Sequence, residues 1–213
     1  MIKLIIFDYD GVIVDSFANI HDVYKIMCTK LGKSCPEDVK EFRRVYGYNS
    51  SECYSNLGFS EEEKVKAEGI FKEEILKKEP KLFEGIIETL RELHKNYKLV
   101  VISSSHKEEV DQKLEKFHIL EFFDDVIARE NFIGRFEKTT SIKKVVGDSG
   151  LDLDEVLLIG DRNVDFVEGS KAGLSNIILV EYGWGYDLAK TPEYEQRVLV
   201  RNPREIIDAL KKF

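Results

Sequence analysis

Cysteine, proline and stretches of positive charge are all scarce in this chain. The three cysteines, Cys28, Cys35 and Cys53, are odd in number and contain no C-x-x-C pair. That argues against a disulfide scaffold or a zinc site and predicts ordinary reduced thiols. The net charge is −8 and there is no basic tract, so nothing favours a nucleic-acid backbone as partner. An anion bound by so acidic a chain must be met by local donors, not by the overall field. No apolar run approaches the roughly 20 residues of a membrane span. The first apolar run is broken at Asp8, too early for a secretory signal. The expectation is a cytoplasmic protein with neither membrane nor nucleic acid as partner. Internal repeats, low-complexity tracts and linkers rich in Pro, Gly or Ser are also lacking. What is present is 213 residues, 43% of them hydrophobic, enough for one large domain or one domain with a modest insert.

Those residues alternate between two regimes. Residues 1–7 read as a short buried strand. Residues 17–81 then lose strand-like runs and turn charged and helix-favouring. Helices are predicted over 17–31, ended by Gly32, and over 36–46, with Pro36 near the start. Residues 47–51 predict a turn. Ser60 with Glu63 forms a capping-box pattern that opens a helix to about Lys78, and Pro80 closes it. Beyond Pro80, helices at 85–96, 108–117, 139–147 and 164–172 alternate with strands at 98–102, 125–128, 155–159 and 176–180. A further short strand at 198–200 and a last helix after Asn202-Pro203 complete the pattern. Single helices between strands imply an α/β fold, a doubly wound parallel (Rossmann-like) sheet, with an all-helical insert. Ligands of such sheets sit beyond the carboxyl ends of the strands.

Four of those ends are polar. The first strand runs into Asp8-Tyr9-Asp10-Gly11. Asp-x-Asp-Gly is a plausible turn, but side chains two apart on an extended chain point the same way, and paired carboxylates repel unless a cation or proton intervenes. The strand 98–102 ends in Ser103-Ser104-Ser105, which suits an anion seat or a helix N-cap. Lys138 precedes a helix, with Thr139 or Thr140 as candidate cap; on its own it reads as a surface charge. The strand 155–159 opens into Gly160-Asp161, with Asp165 four residues on. Acids there can favour the helix dipole or share one face of a first turn. Gly160 suggests close backbone packing. Together the four clusters supply what phosphoryl chemistry with Mg²⁺ requires: carboxylates for the ion, and hydroxyl and ammonium donors for the transition state.

In their order and spacing these motifs resemble the haloacid dehalogenase superfamily, in the branch of small helical caps that contains phosphoglycolate phosphatases and β-phosphoglucomutases. The resemblance spans essentially the whole chain. It implies a core of residues 1–16 and 82–213 and a helical cap at 17–81. It also implies Mg²⁺-dependent hydrolysis of a small phosphorylated metabolite through an aspartyl-phosphate. Asp8 would be nucleophile and metal ligand, and Asp10 general acid/base and carbonyl ligand. Ser103 and Ser104 would hold the phosphoryl group, and Lys138 would neutralise it and orient Asp8. Asp161 would be the main acid at the metal, with Asp165 beside it or behind it. Asp15 and Ser16 match the usual exit into the cap. The stretch between Ser103 and Lys138 is too short for the alternative α/β cap. Two departures stand out: Glu84-Gly85 replaces Pro-Gly, and Thr139 rather than Pro follows Lys138.

Substrate recognition would fall to the insert, where Arg43, Arg44, Tyr48 and Asn49 are candidates, although solvated charge explains the two arginines equally well. A phosphomutase is the alternative. His21 lies near the place of a mutase helper histidine, one residue further from Asp10, and the turn Gly47-Tyr48-Asn49-Ser50 lacks the arginine of that branch. A phospho-accepting receiver module also combines acids, a hydroxyl, a lysine and Mg²⁺. It places its paired acids and its phospho-accepting Asp on different strands, however, and has no helical insert.

Overall fold

In a computed structural model the chain forms two compact units, Met1–Asp15 with Lys81–Phe213, and Ser16–Pro80. The described residues are 1–47, 49–129, 136–185 and 198–213.

In chain order the elements are β1 (Leu4–Phe7), β2 (Val14–Asp15), α1 (Phe17–Lys30), α2 (Val39–Tyr46), α3 (Ser50–Asn56), α4 (Glu61–Leu76) and β3 (Lys81–Leu82). They continue with α5 (Ile86–Leu93), β4 (Lys98–Ile102), α6 (Lys107–Lys116), β5 (Asp125–Ile127), α7 (Lys138–Ser149) and β6 (Val156–Gly160). The last are α8 (Asn163–Ala172), β7 (Ile177–Val180), β8 (Val198–Val200) and α9 (Glu205–Ala209).

The first unit is built on a six-stranded sheet in the order β5-β4-β1-β6-β7-β8, with every pairing parallel. The apolar strands are buried on both faces, as a covered parallel sheet demands. Alternate residues go to opposite sides. Ile5, Phe7, Leu99, Val101, Leu157 and Ile159 pack with Ile86 and Leu90 of α5, Leu114 of α6 and Ile206 of α9. Leu4, Ile6, Val100, Ile102 and Leu158 pack with Ile142 and Val145 of α7 and Ala172 of α8. β1 lies between β4 and β6, so the chain order reverses beside it. The carboxyl ends of those three strands meet at the switch point where such sheets bind ligands.

Residues 14–15 and 81–82 pair as a two-residue antiparallel ribbon, Val14 with Leu82 and Asp15 with Lys81. This ribbon lies outside the predicted elements, because two residues are too few to show a period.

The second unit is helical and is centred on Tyr24, buried with Phe42, Tyr46, Tyr54 and Phe71 around it at ring-centroid distances of 5.2–6.0 Å. Ion pairs Lys30–Glu74 (2.7 Å) and Lys33–Glu63 (2.9 Å) tie α4 to residues that precede it. The predicted capping box of Ser60 and Glu63 is present.

Two local expectations change. The second helix begins at Val39 and not at Pro36, because the Asp38 side chain accepts from the Lys40 and Glu41 amides and caps it. The predicted turn at 47–51 is in part a helix start: Asn49 Oδ1 accepts from the Glu52 amide (3.0 Å) and opens α3. Asn and Ser serve turns and caps alike, and local sequence does not separate the two. The cysteines are free thiols, with Cys28 and Cys53 buried. Among the described residues no helix is long and apolar enough to cross a membrane.

Candidate active site

Asp8 follows the last residue of β1, and its amide donates to the Ile159 carbonyl of β6 (2.9 Å). The turn expected of Asp8-Tyr9-Asp10-Gly11 is present as well. The amides of Ile13 and Val14 donate to the Tyr9 carbonyl at 2.9 and 3.2 Å, and the Gly11 amide to the Val14 carbonyl at 2.9 Å. Turn and acid pair are therefore one structure. Gly11 has φ +81°, and a Cβ there would lie 2.0 Å from Asp161 Oδ2. The glycine thus meets both a left-handed backbone and the close approach of the neighbouring strand end.

From β6, Asp161 enters the same place. Its Oδ2 accepts from the backbone amides of Trp184 and Gly185, both at 3.0 Å. Its Oδ1 is buried without a hydrogen-bond partner among the described residues. Asp161 precedes α8 and does not share its first turn, contrary to one of the readings above, whereas Asp165 does lie in that turn. Asp165 Oδ2 accepts from the Arg162 amide (2.8 Å) and closes the helix start. The close packing expected of Gly160 is borne out: a Cβ on it would lie 2.3 Å from Asp165 Cβ.

Lys138, first residue of α7, joins two of these acids. Its Nζ lies 2.9 Å from Asp8 Oδ2 and 2.5 Å from Asp165 Oδ1. Thr139 anchors this corner where a proline would stiffen it, its hydroxyl donating to Glu168 Oε2 of α8 (2.6 Å).

Asp8, Asp161 and Asp165 each offer a carboxylate oxygen within 4.8 Å of the others, and all three are buried. Among the described residues only one ammonium, that of Lys138, pairs with these carboxylates, and the Arg162 charge helps Asp161 to a lesser degree; crowding three acids in a dry place is costly. Burial accordingly pushes Asp8 up to about 7, Lys138 drawing it down and the charges of Asp165 and Asp10 adding to the rise. Burial, then the charges of Asp165 and Asp8, holds Asp161 well above the usual carboxylate range. For Lys138 burial works against the charged form, but the two carboxylates outweigh it and raise its pKa. A hard divalent cation relieves such a set, and the unpartnered Asp161 Oδ1 gives it a ready oxygen.

β4 ends in the serine cluster. Ser103 is fully buried, and its Oγ accepts from the Ser105 amide (3.0 Å). Ser104 is exposed. Neither caps α6, whose N-cap residue is His106. Ser105 Oγ donates to Asp10 Oδ2 at 2.6 Å.

Two features of this site carry no sequence signal of their own. Ser105 was one of three serines with nothing to single it out. The Trp184–Gly185 clamp consists of backbone amides, which carry no side-chain signature. The pair Gly183 and Gly185 around the chain's only tryptophan is the one visible hint.

The candidate recognition residues belong to the helical unit. Arg43 and Arg44 are exposed on α2, Asn49 is the cap of α3, and Tyr48 lies outside the described residues. His21 is buried, not a surface residue, with its ring stacked on Phe42 at 4.5 Å and its Nε2 2.6 Å from the Pro36 carbonyl oxygen.

A profile of the haloacid dehalogenase-like hydrolase family matches residues 5–179. A phosphoglycolate phosphatase of Vibrio parahaemolyticus is 22% identical over 228 residues, covering 100% of this chain and 94% of that protein. The pyrophosphatase PpaX of Halalkalibacterium halodurans is 23% identical over 127 residues, 59% of this chain and 58% of that protein. A haloacid dehalogenase-like hydrolase from Streptococcus pneumoniae has the same fold, with a TM-score of 0.83 at 23% identity over 98% of both chains. The profile covers most of the chain: this protein belongs to the haloacid dehalogenase-like hydrolases and is an enzyme of the phosphatase kind.

Proposed function

We propose that the chain hydrolyses a small phosphate monoester of the phosphoglycolate type, with Mg²⁺ as cofactor and a phosphoryl group carried transiently on Asp8. The observation that supports this best is the convergence of Asp8, Asp161 and Asp165 beyond the ends of β1 and β6, with Lys138 pairing Asp8 and Asp165. The oxygen donors suit Mg²⁺, which favours a few carboxylates together with phosphate oxygens. When bound, the ion would neutralise charge on the carboxylates and on the phosphoryl oxygens.

In this reading Asp8 attacks phosphorus. Asp10 gives a proton to the leaving oxygen and then takes one from the attacking water. Ser103 donates its hydroxyl to the phosphoryl group, Ser104 lies beside it, and Lys138 offsets the negative charge while fixing Asp8. Asp161, with one oxygen clamped and the other unpartnered, is the main ligand from β6. Both oxygens of Asp165 are engaged by Lys138 and the Arg162 amide, which suits a supporting place behind the ligands. Residues 1–16 and 82–213 act as the catalytic core. Residues 17–81 act as a cap that carries recognition, with Arg43, Arg44 and Tyr48 as its candidates, Asn49 being engaged as the cap of α3, and the cytoplasm is the compartment. His21, packed against Phe42 and Pro36, gives the mutase alternative no support.

The test is phosphate release from a panel comprising p-nitrophenyl phosphate, 2-phosphoglycolate, inorganic pyrophosphate and β-glucose 1-phosphate, with and without Mg²⁺. Mg²⁺-dependent turnover is expected, and Asp8→Asn should reduce it by roughly three orders of magnitude or more. Undiminished turnover in that variant, or a wild type inert on the whole panel, would sink the proposal. Formation of glucose 6-phosphate would move it to the mutase.

A further inference from the structure

None of the roles above uses Ser105, yet it occupies a joint in the site. Its hydroxyl donates to Asp10 Oδ2 at 2.6 Å, between residues 95 apart in sequence. Its amide donates to Ser103 Oγ at 3.0 Å. Its carbonyl accepts from the Arg129 amide (3.1 Å), while Arg129 Nε donates to the Ser104 carbonyl (3.0 Å). A chain of hydrogen bonds thus crosses three adjacent strand ends, from Arg129 after β5, through Ser105 after β4, to Asp10 after β1. We infer that Ser105 is the positioning residue of Asp10, setting the plane of its carboxyl group and coupling it to the phosphate seat at Ser103. This inference rests on the phosphatase reading above.

Asp10 is half-buried and stands in a turn, not in a strand, so its backbone alone leaves χ1 and χ2 to be chosen. A short hydrogen bond from a hydroxyl to a carboxylate is among the stronger neutral-to-charged contacts and selects one rotamer. The bond to Oδ2 thereby fixes the plane of the carboxyl group that carries the proton. In the first step the Asp8 oxygen–phosphorus bond forms, the phosphorus–ester oxygen bond breaks, and the proton on Asp10 moves to the departing oxygen. In the second, water oxygen bonds to phosphorus, its proton moves to Asp10, and the Asp8 oxygen–phosphorus bond breaks to release phosphate. Both steps need the same oxygen of Asp10 aimed at the same place. Ser103 is affected through the same residue: its oxygen accepts from the Ser105 amide, so its own proton is directed elsewhere, as a phosphate donor requires.

A misaimed general acid matters most when the leaving group is poor. The experiment compares kcat/KM for p-nitrophenyl phosphate, whose phenolate leaves with little help, and for an alkyl phosphate, whose alkoxide must be protonated. In Ser105→Ala the aryl-to-alkyl ratio of kcat/KM should rise roughly tenfold or more, a part of the 10²–10⁴ that general acid catalysis supplies. Ser105→Thr, which keeps the hydroxyl, should restore the ratio of the wild type. On the aryl ester, adding Ser105→Ala to Asp10→Asn should change kcat/KM by less than about twofold, since the two act as one unit. Equal losses on both esters, or an undiminished further loss in the double variant, would overturn the positioning role. A melting curve checks folding, and if the alanine variant does not fold, Ser105→Cys, similar in size and a weaker donor, should raise the ratio in its place. A wild type inert on both esters would instead refute the phosphatase reading, and this inference with it.

Discussion

Asp161 shows how much of this site is made by the main chain. Two amides hold one of its oxygens, while the other is buried without a partner among the described residues. An acid so placed costs stability when no cation is present, and burial drives it toward its protonated form. Asp161→Asn keeps an acceptor for the Trp184 and Gly185 amides and removes the charge. Without added metal it should therefore be more stable than the wild type by about 1–2 kcal/mol, the usual gain when a functional strain is relieved. For a chain of this size that is a rise of a few degrees in Tm. On the proposed reading Mg²⁺ should stabilise the wild type, and the same variant should lose that gain. Differential scanning fluorimetry with and without Mg²⁺ checks both, and an equal response of the two proteins to Mg²⁺ would remove Asp161 from the metal site. At this scale Asp8, Asp10 and Asp161 are legible in the sequence, because each stands just past an apolar strand; Lys138, at the start of a helix, reads alone as a surface charge and gains a role only from the resemblance. Ser105 and the amide clamp are not legible, because their importance lies in which distant atoms they reach.

Elements were easier to read than their ends. β4 was read with its observed bounds, because five residues between two polar stretches leave little choice. The start of α2 and the existence of α3 were missed, since Pro36, Asp38, Asn49 and Ser50 can each cap, start or turn a chain. Asn49 illustrates the cost of that ambiguity: a residue offered above for substrate recognition spends its side-chain oxygen on the Glu52 amide. Asn49→Ala should destabilise the protein by about 1 kcal/mol, as loss of an N-cap does, and leave KM for the best ester unchanged. A KM several-fold higher at unaltered Tm would restore it to the recognition set. Thr139 makes a similar point for α7. Its bond to Glu168 holds the helix start to α8, a tertiary means of fixing Lys138 that no local pattern announces.

At the scale of the whole molecule, the alternation of helices and strands sufficed for a parallel sheet, but the neighbours of β1 had to come from the fold. That β4 and β6 flank it is what brings Ser103, Asp8 and Asp161 side by side, and this concentration of buried acid ties stability to pH. The pKa of Asp8 rises from 3.8 to about 7 in the folded chain, and that of Asp161 is raised as well. Between about pH 4 and 7 the folded protein therefore holds more protons at these sites than the unfolded chain does. Stability falls with rising pH wherever the folded state binds more protons. The contribution of Asp8 is fully present below the unfolded pKa and is lost as pH rises through about 7. On the proposed reading Mg²⁺ would compete with those protons for the same carboxylates, so its binding should release protons and strengthen as pH rises. The expected outcome is a metal-free Tm that declines between pH 5 and 8 and an Mg²⁺-induced rise in Tm that is larger at pH 8 than at pH 5. Thermal melts across that range, in buffers matched for ionic strength, measure both. In Asp161→Asn the metal-free decline should be shallower, because one of the buried acids is gone. A metal-free Tm that instead climbs steadily from pH 5 to 8 in the wild type would mean that paired surface carboxylates, and not this cluster, govern the pH response.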